Sequence, residues 1–79
     1  MKTTRYFEEQ VLRKRPYLQR VLIQAAIERP LRREVQPDGR VRYWIWVPKV
    51  SKFLRVVTLG DGETVHNAFF DRGFEEVDR

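Results

Sequence analysis

Arg40-Val41-Arg42-Tyr43-Trp44-Ile45-Trp46-Val47 is the stretch on which the fold turns. Val41, Tyr43, Ile45 and Val47 alternate with Arg40, Arg42, Trp44 and Trp46. Period two in β-branched and aromatic residues specifies a strand. One of its faces is a plain core face. The other carries two arginines and two tryptophans, an odd load for solvent, so either a second layer covers that face or a ligand does.

Turn chemistry brackets this strand. Upstream, Leu31, Arg33 and Val35 alternate before Pro37-Asp38-Gly39, which suits a type I turn closed by a left-handed glycine. A three-residue loop places Val35 opposite Val41 and Glu34 opposite Arg42, apolar beside apolar and acid beside base. Downstream, Pro48-Lys49-Val50-Ser51 breaks the chain before a third strand, and Gly60-Asp61-Gly62 signals a second hairpin. Two registers remain open there. A two-residue turn sets Val57 opposite His66 and Arg55 opposite Ala68. A three-residue turn sets Val56 opposite His66 and Arg55 opposite Asn67. The face that carries His66 depends on the choice.

Before the strands the period changes to helical. Thr4 caps a helix over about 5–14, with Glu8 and Glu9 at its dipole-favoured start and Tyr6, Phe7, Val11 and Leu12 on its apolar side. Pro16 opens a second helix, about 16–29, which ends at Pro30. Leu18, Val21, Leu22, Ala25 and Ala26 form its core stripe, and Ile23 and Ile27 a second patch. The expected architecture is α+β: two N-terminal helices packed on one face of a four-stranded antiparallel meander, strands about 31–36, 40–47, 52–59 and 63–70. A loosely held acidic tail, 71–79, follows, with Phe74 and Val77 as anchors. The 79 residues fit a single domain, 1–79.

The composition narrows the chemistry. The formal charge is +5, and nearly all the positive charge precedes Val56. A basic body favours an anionic partner, of which nucleic acid is the commonest. There is no cysteine and one histidine, so neither a thiolate metal site nor a thiol nucleophile is expected, and no cofactor. Ser51, the only serine, lies in the loop after Pro48, which argues against a serine triad. The start Met1-Lys2-Thr3-Thr4-Arg5 lacks the apolar run of a signal peptide, and no run is long enough to span a membrane; a cytoplasmic location is expected.

What remains is acid–base chemistry on a phosphodiester. RNA brings its own 2′-hydroxyl nucleophile, so a protein need only hold the strand, move two protons and stabilise the phosphorane. Arg42 and Arg55 would hold the phosphate, His66 would serve as acid or base, and Tyr6 or Tyr43 would be a second donor. Arg13, Arg15 and Arg40 would grip the backbone, while Trp44 and Trp46 stack on bases. Without chemistry, the same surface would bind nucleic acid and leave it intact. The alternative is a non-catalytic homodimer or interaction module that buries Trp44, Trp46, Ile23 and Ile27 between chains.

Several short pieces resemble a known family: Thr4-Arg5-Tyr6-Phe7, Arg15-Pro16, Ile27-Glu28-Arg29-Pro30, Asp38-Gly39-Arg40 and Leu54-Arg55-Val56-Val57. Together they look like the small bacterial domains related to the BrnT and RelE toxins. That resemblance implies a two-layer fold with an antiparallel sheet and RNA cleavage neutralised by a small antitoxin. The residues themselves, with one histidine and no cysteine, make a metal-independent endoribonuclease the expected form of that activity. The chain departs from the pattern at Tyr6, where many relatives carry a histidine, and along 64–72, which matches no catalytic pattern of the toxins.

Overall fold

The computed structural model of the chain describes residues 1–75. Four strands form an antiparallel sheet in sequence order, β1 (Arg32–Val35), β2 (Val41–Val47), β3 (Lys52–Thr58) and β4 (Val65–Phe70). The first hairpin has the expected register: Val35 pairs with Val41 and Glu34 with Arg42. Gly39 takes φ +90°, and Asp38 accepts a hydrogen bond from the Arg40 N–H at 2.9 Å, which together close the turn.

The second hairpin keeps neither expected register throughout. Thr58 pairs with Val65, but Val57 pairs with Asn67, Val56 with Ala68 and Arg55 with Phe69. One extra residue, His66, is inserted in β4. This β-bulge lets Val65 and Ala68 both reach the core while His66 and Asn67 stay on the opposite side. The turn itself is anchored by Asp61, whose carboxylate accepts from the backbone of Glu63 and Thr64 and from the Thr64 hydroxyl.

The two-helix expectation needs correction. The first helical segment, Phe7–Leu12, is wound as a π-helix, and the only α-helix among the described residues, α1, spans Arg20–Glu28. Residues 13–19 are a loop: the Arg15 N–H reaches Val11 O at 2.9 Å, the Leu18 N–H reaches Arg15 O at 3.0 Å, and buried Leu18 pins the loop to the core. Pro16 thus sits in a connection rather than in a first helical turn. Thr4 caps the start as expected, its hydroxyl oxygen accepting from the Phe7 N–H at 3.0 Å.

The buried stripe of α1 is also rotated from expectation. Ile23 and Ala26 are fully buried, with Leu22 and Ile27 beside them, whereas Val21 is 69% exposed. Apolar residues at 21, 22, 23, 25, 26 and 27 support two overlapping stripes, and packing selects one. The helix lies over β2 and β3 and the π-helical segment over β4. Between them and the sheet, Phe7, Val11, Leu18 and Ile23 meet Tyr43, Leu54, Val56 and Val65. Glu8 links the two helical pieces, accepting from Arg20 and from the Thr3 hydroxyl, each at 2.6 Å. Arg20 and then Thr3 hold the Glu8 carboxyl below its ordinary value.

A further pairing lies ahead of the first helical segment. Lys2 to Thr4 run parallel to the start of β4, with Thr4 N–H to Val65 O and Val65 N–H to Lys2 O both at 2.9 Å. This places Thr4 beside the bulge. Asp71 and Phe74, in the segment expected to be loosely held, are fixed against the sheet. Val77 and the rest of the expected tail, 76–79, lie outside the described residues. No described helix is long and apolar enough to cross a membrane.

Candidate nucleic-acid interface

The sheet face turned away from α1 has two halves. The alternation of β2 sends Arg42, Trp44 and Trp46 there. Their partners on β3 are Val57, Arg55 and Phe53.

One half is aromatic and largely closed. After β4, Asp71 accepts the Gly73 N–H at 3.0 Å through Oδ1, turning the chain back over the sheet. Phe74 then stacks on Trp44, ring centroids 4.8 Å apart, and meets Phe53 edge-on at 4.9 Å. The Trp44 indole N–H donates to Asp71 Oδ2 at 3.0 Å. Trp44 is therefore only 4% exposed and offers no ring face to a base; the open stacking surface expected of it is absent. Trp46 remains 47% exposed, supported edge-on by Phe53 at 4.9 Å.

The other half is a cationic groove of about 230 Å³. Arg40, Arg42, Arg55 and His66 line it together with Tyr6 and Asn67. Arg42 and Arg55 arrive from neighbouring strands, Arg40 from the first hairpin loop and His66 from the bulge. Tyr6 stacks on the His66 ring at 4.9 Å, and the Thr4 hydroxyl lies 3.0 Å from His66 Nδ1. Burial, and secondarily the charge of Arg40, hold the imidazole below its ordinary value. Both effects favour the neutral imidazole, with Nδ1 beside the Thr4 hydroxyl and Nε2 the remaining nitrogen.

Arg55 forms the floor. Its guanidinium lies 4.4 Å from the Phe69 ring centroid and 6.0 Å from that of Trp44, and 3.7 Å from Asp71 Oδ2. Burial lowers its pKa, the Asp71 charge opposes that shift, Arg42 adds to it and Glu34 opposes it. Its Nε–H is buried without an acceptor. Arg42 lies against the Gln36 amide, which satisfies it when the amide oxygen faces the guanidinium. Among the described residues, three cations thus line one small cleft that no carboxylate lines, with Asp71 3.7 Å from Arg55 and Asp38 4.0 Å from Arg40 at its margins, an arrangement that attracts an oxyanion.

Of the residues singled out from sequence, the structure gathers Arg40, Arg42, Arg55, His66 and Tyr6. It separates the rest. Arg13 is exposed at the end of the π-helical segment, and Arg15 lines a different hollow. The Tyr43 hydroxyl donates to Gly62 O at 3.0 Å on the core side and is no groove donor. The dimer seam loses two members, because Ile23 and Trp44 are already buried within the chain. Sequence reasoning missed Asp71, Asn67 and Gln36, and it read Thr4 only as a cap. Asp71 alone carried a signal, since an Asp two residues before a Gly is a side-chain-capped turn. Compared with family models, curated proteins and solved structures, this chain matches none.

Proposed function

We propose that the cationic groove binds the phosphodiester backbone of RNA and that His66 promotes attack of the 2′-hydroxyl on the held phosphate. The carrying observation is the convergence of Arg40, Arg42 and Arg55 around His66 in one cleft on the helix-free face. The resemblance to BrnT and RelE toxins agrees with this reading and adds an antitoxin-like partner to it.

The chemistry follows from the groups present. Thr4 Oγ has two lone pairs, one taken by the Phe7 N–H. The other can accept Nδ1–H of His66, and in that tautomer Nε2 carries a lone pair and acts as base. The arginines stabilise the charge that develops on the phosphorane. As the P–O2′ bond forms, the P–O5′ bond breaks, and the leaving 5′-oxygen takes a proton from Tyr6, the expected second donor, which stacks on the imidazole.

The test is incubation of the purified protein with single-stranded RNA, scored for fragments ending in 2′,3′-cyclic phosphate. His66→Gln should slow cleavage by about 10²–10⁴-fold, the usual contribution of a positioned acid or base. Arg42→Ala should weaken binding and flatten its salt dependence. RNA that is bound but left intact by the unaltered protein would remove the catalytic half of the proposal. Binding indifferent to both salt and Arg42 would remove the whole of it.

A further inference from the structure

We infer that a second subsite, wrapped around the β4 edge, takes the continuation of a single-stranded RNA whose phosphate sits in the groove; this rests on the RNA reading of that groove. Phe69 lines the groove and also a second hollow of about 570 Å³. The two share a wall. The hollow is lined by Arg15, Lys52 and Arg72 with Tyr17 and Phe70, and no acidic side chain lines it. Among the described residues none of these three cations is ion-paired.

The aromatic geometry points to a base. Tyr17 is 59% exposed and stacks on Phe70 with centroids 6.0 Å apart and planes 14° from parallel. One ring face is backed and the other is open. Lys52 Nζ lies 5.7 Å from the Phe70 ring, beside the same platform. The loop that presents Tyr17 is held by buried Leu18 and by the Arg15 and Leu18 backbone hydrogen bonds, so the ring is positioned before any ligand arrives. An aromatic face flanked by cations is the general means of holding an unpaired base and its phosphates.

The path selects single strands. Phe69 belongs to the helix-free face, while Phe70, next along β4, packs against the core on the other. A ligand that fills both hollows must turn around the sheet edge. A flexible strand with unstacked bases can do so, and a stiff A-form duplex with its bases paired cannot.

The experiment is fluorescence anisotropy with labelled oligouridines, a dinucleotide and a decanucleotide, over a range of salt. The decanucleotide should bind more than tenfold tighter than the dinucleotide. Lys52→Ala combined with Arg72→Ala changes two exposed side chains, so melting curves should show a folded protein. For the decanucleotide it should reduce the slope of log K against log salt by about 1.4, two phosphate contacts at about 0.7 each. Dinucleotide binding should not change. Tyr17→Ala should weaken the decanucleotide about tenfold, and Tyr17→Phe should restore it. A double variant that binds the decanucleotide like the unaltered protein overturns the second subsite. So does equal affinity for the same length of duplex. If Arg42→Ala still abolishes dinucleotide binding in that case, the groove reading stands alone. If neither oligonucleotide binds, both readings fall.

Discussion

Asp71→Asn tests how the aromatic half of the sheet face governs the cationic half. Asp71 uses both oxygens: Oδ1 takes the Gly73 N–H, and Oδ2 takes the Trp44 indole N–H and faces Arg55 at 3.7 Å. Asparagine has one oxygen, so one of the two N–H donors meets an NH₂ group. A donor left unmet at a site this enclosed costs about 1–3 kcal/mol. A domain of this length has about 4–12 kcal/mol in hand, so the variant stays folded. Its Tm should fall by about 5–20 °C. The same change removes the anion that competes with phosphate for Arg55. At 3.7 Å and an effective dielectric of about 20, that attraction is roughly 4–5 kcal/mol before desolvation is subtracted. Freed for one more phosphate contact, Arg55 should steepen the salt slope for single-stranded RNA by about 0.7, which is about fivefold in affinity between 1 M and 0.1 M salt. Thermal melts and anisotropy titrations on one preparation read both effects. A folded variant with unchanged affinity and slope would show that Arg55 does not meet phosphate. An unchanged Tm would refute the double-acceptor role of Asp71.

Three other outcomes are expected. Gly62→Ala should lower stability by about 1 kcal/mol or more, measured by urea denaturation, because φ is +71° and the new Cβ would stand 3.3 Å from the Tyr43 hydroxyl. His66 titrates below its ordinary 6.5, so the unfolded chain takes up that proton first. Stability should therefore decline as pH falls from about 6.5 through the folded pKa, and His66→Gln should flatten that part of the curve. Asp61 is held down to about 2 by the Thr64 hydroxyl, then the Thr64 and Glu63 N–H groups, so its contribution is present above 3.8 and lost as pH falls through about 2. Carboxyl titration by NMR checks the value, and Asp61→Ala should remove that acid-side loss.

The antiparallel sheet was legible because strand signals are local. Alternation in 40–47 and the Pro37-Asp38-Gly39 turn specify pairing between neighbours in sequence, and both the Val35–Val41 and Glu34–Arg42 pairs formed. Arg42 and Arg55 share a face because Trp44 pairs with Arg55, which puts even-numbered residues of β2 and odd-numbered residues of β3 on the same side. Helical readings fared worse for an equally physical reason. A run with apolar residues at 21, 22, 23, 25, 26 and 27 has no unique buried face, and only contact with β2 and β3 chooses Ile23 and Ala26.

The amino-acid order by itself determined the strand order, the first hairpin and the basic character of the sheet's outer face, because each depends on residues close along the chain. Three-dimensional packing decided the rest. It inserted His66 as a bulge so that Val65 and Ala68 could both be buried, and it brought Thr4 and Tyr6 to that histidine from some 60 residues away. It also folded Phe74 over Trp44, closing one indole while leaving the arginine cleft open. Such contacts join segments with no sequence relation to one another, and burial of apolar area, which no local pattern encodes, selects them.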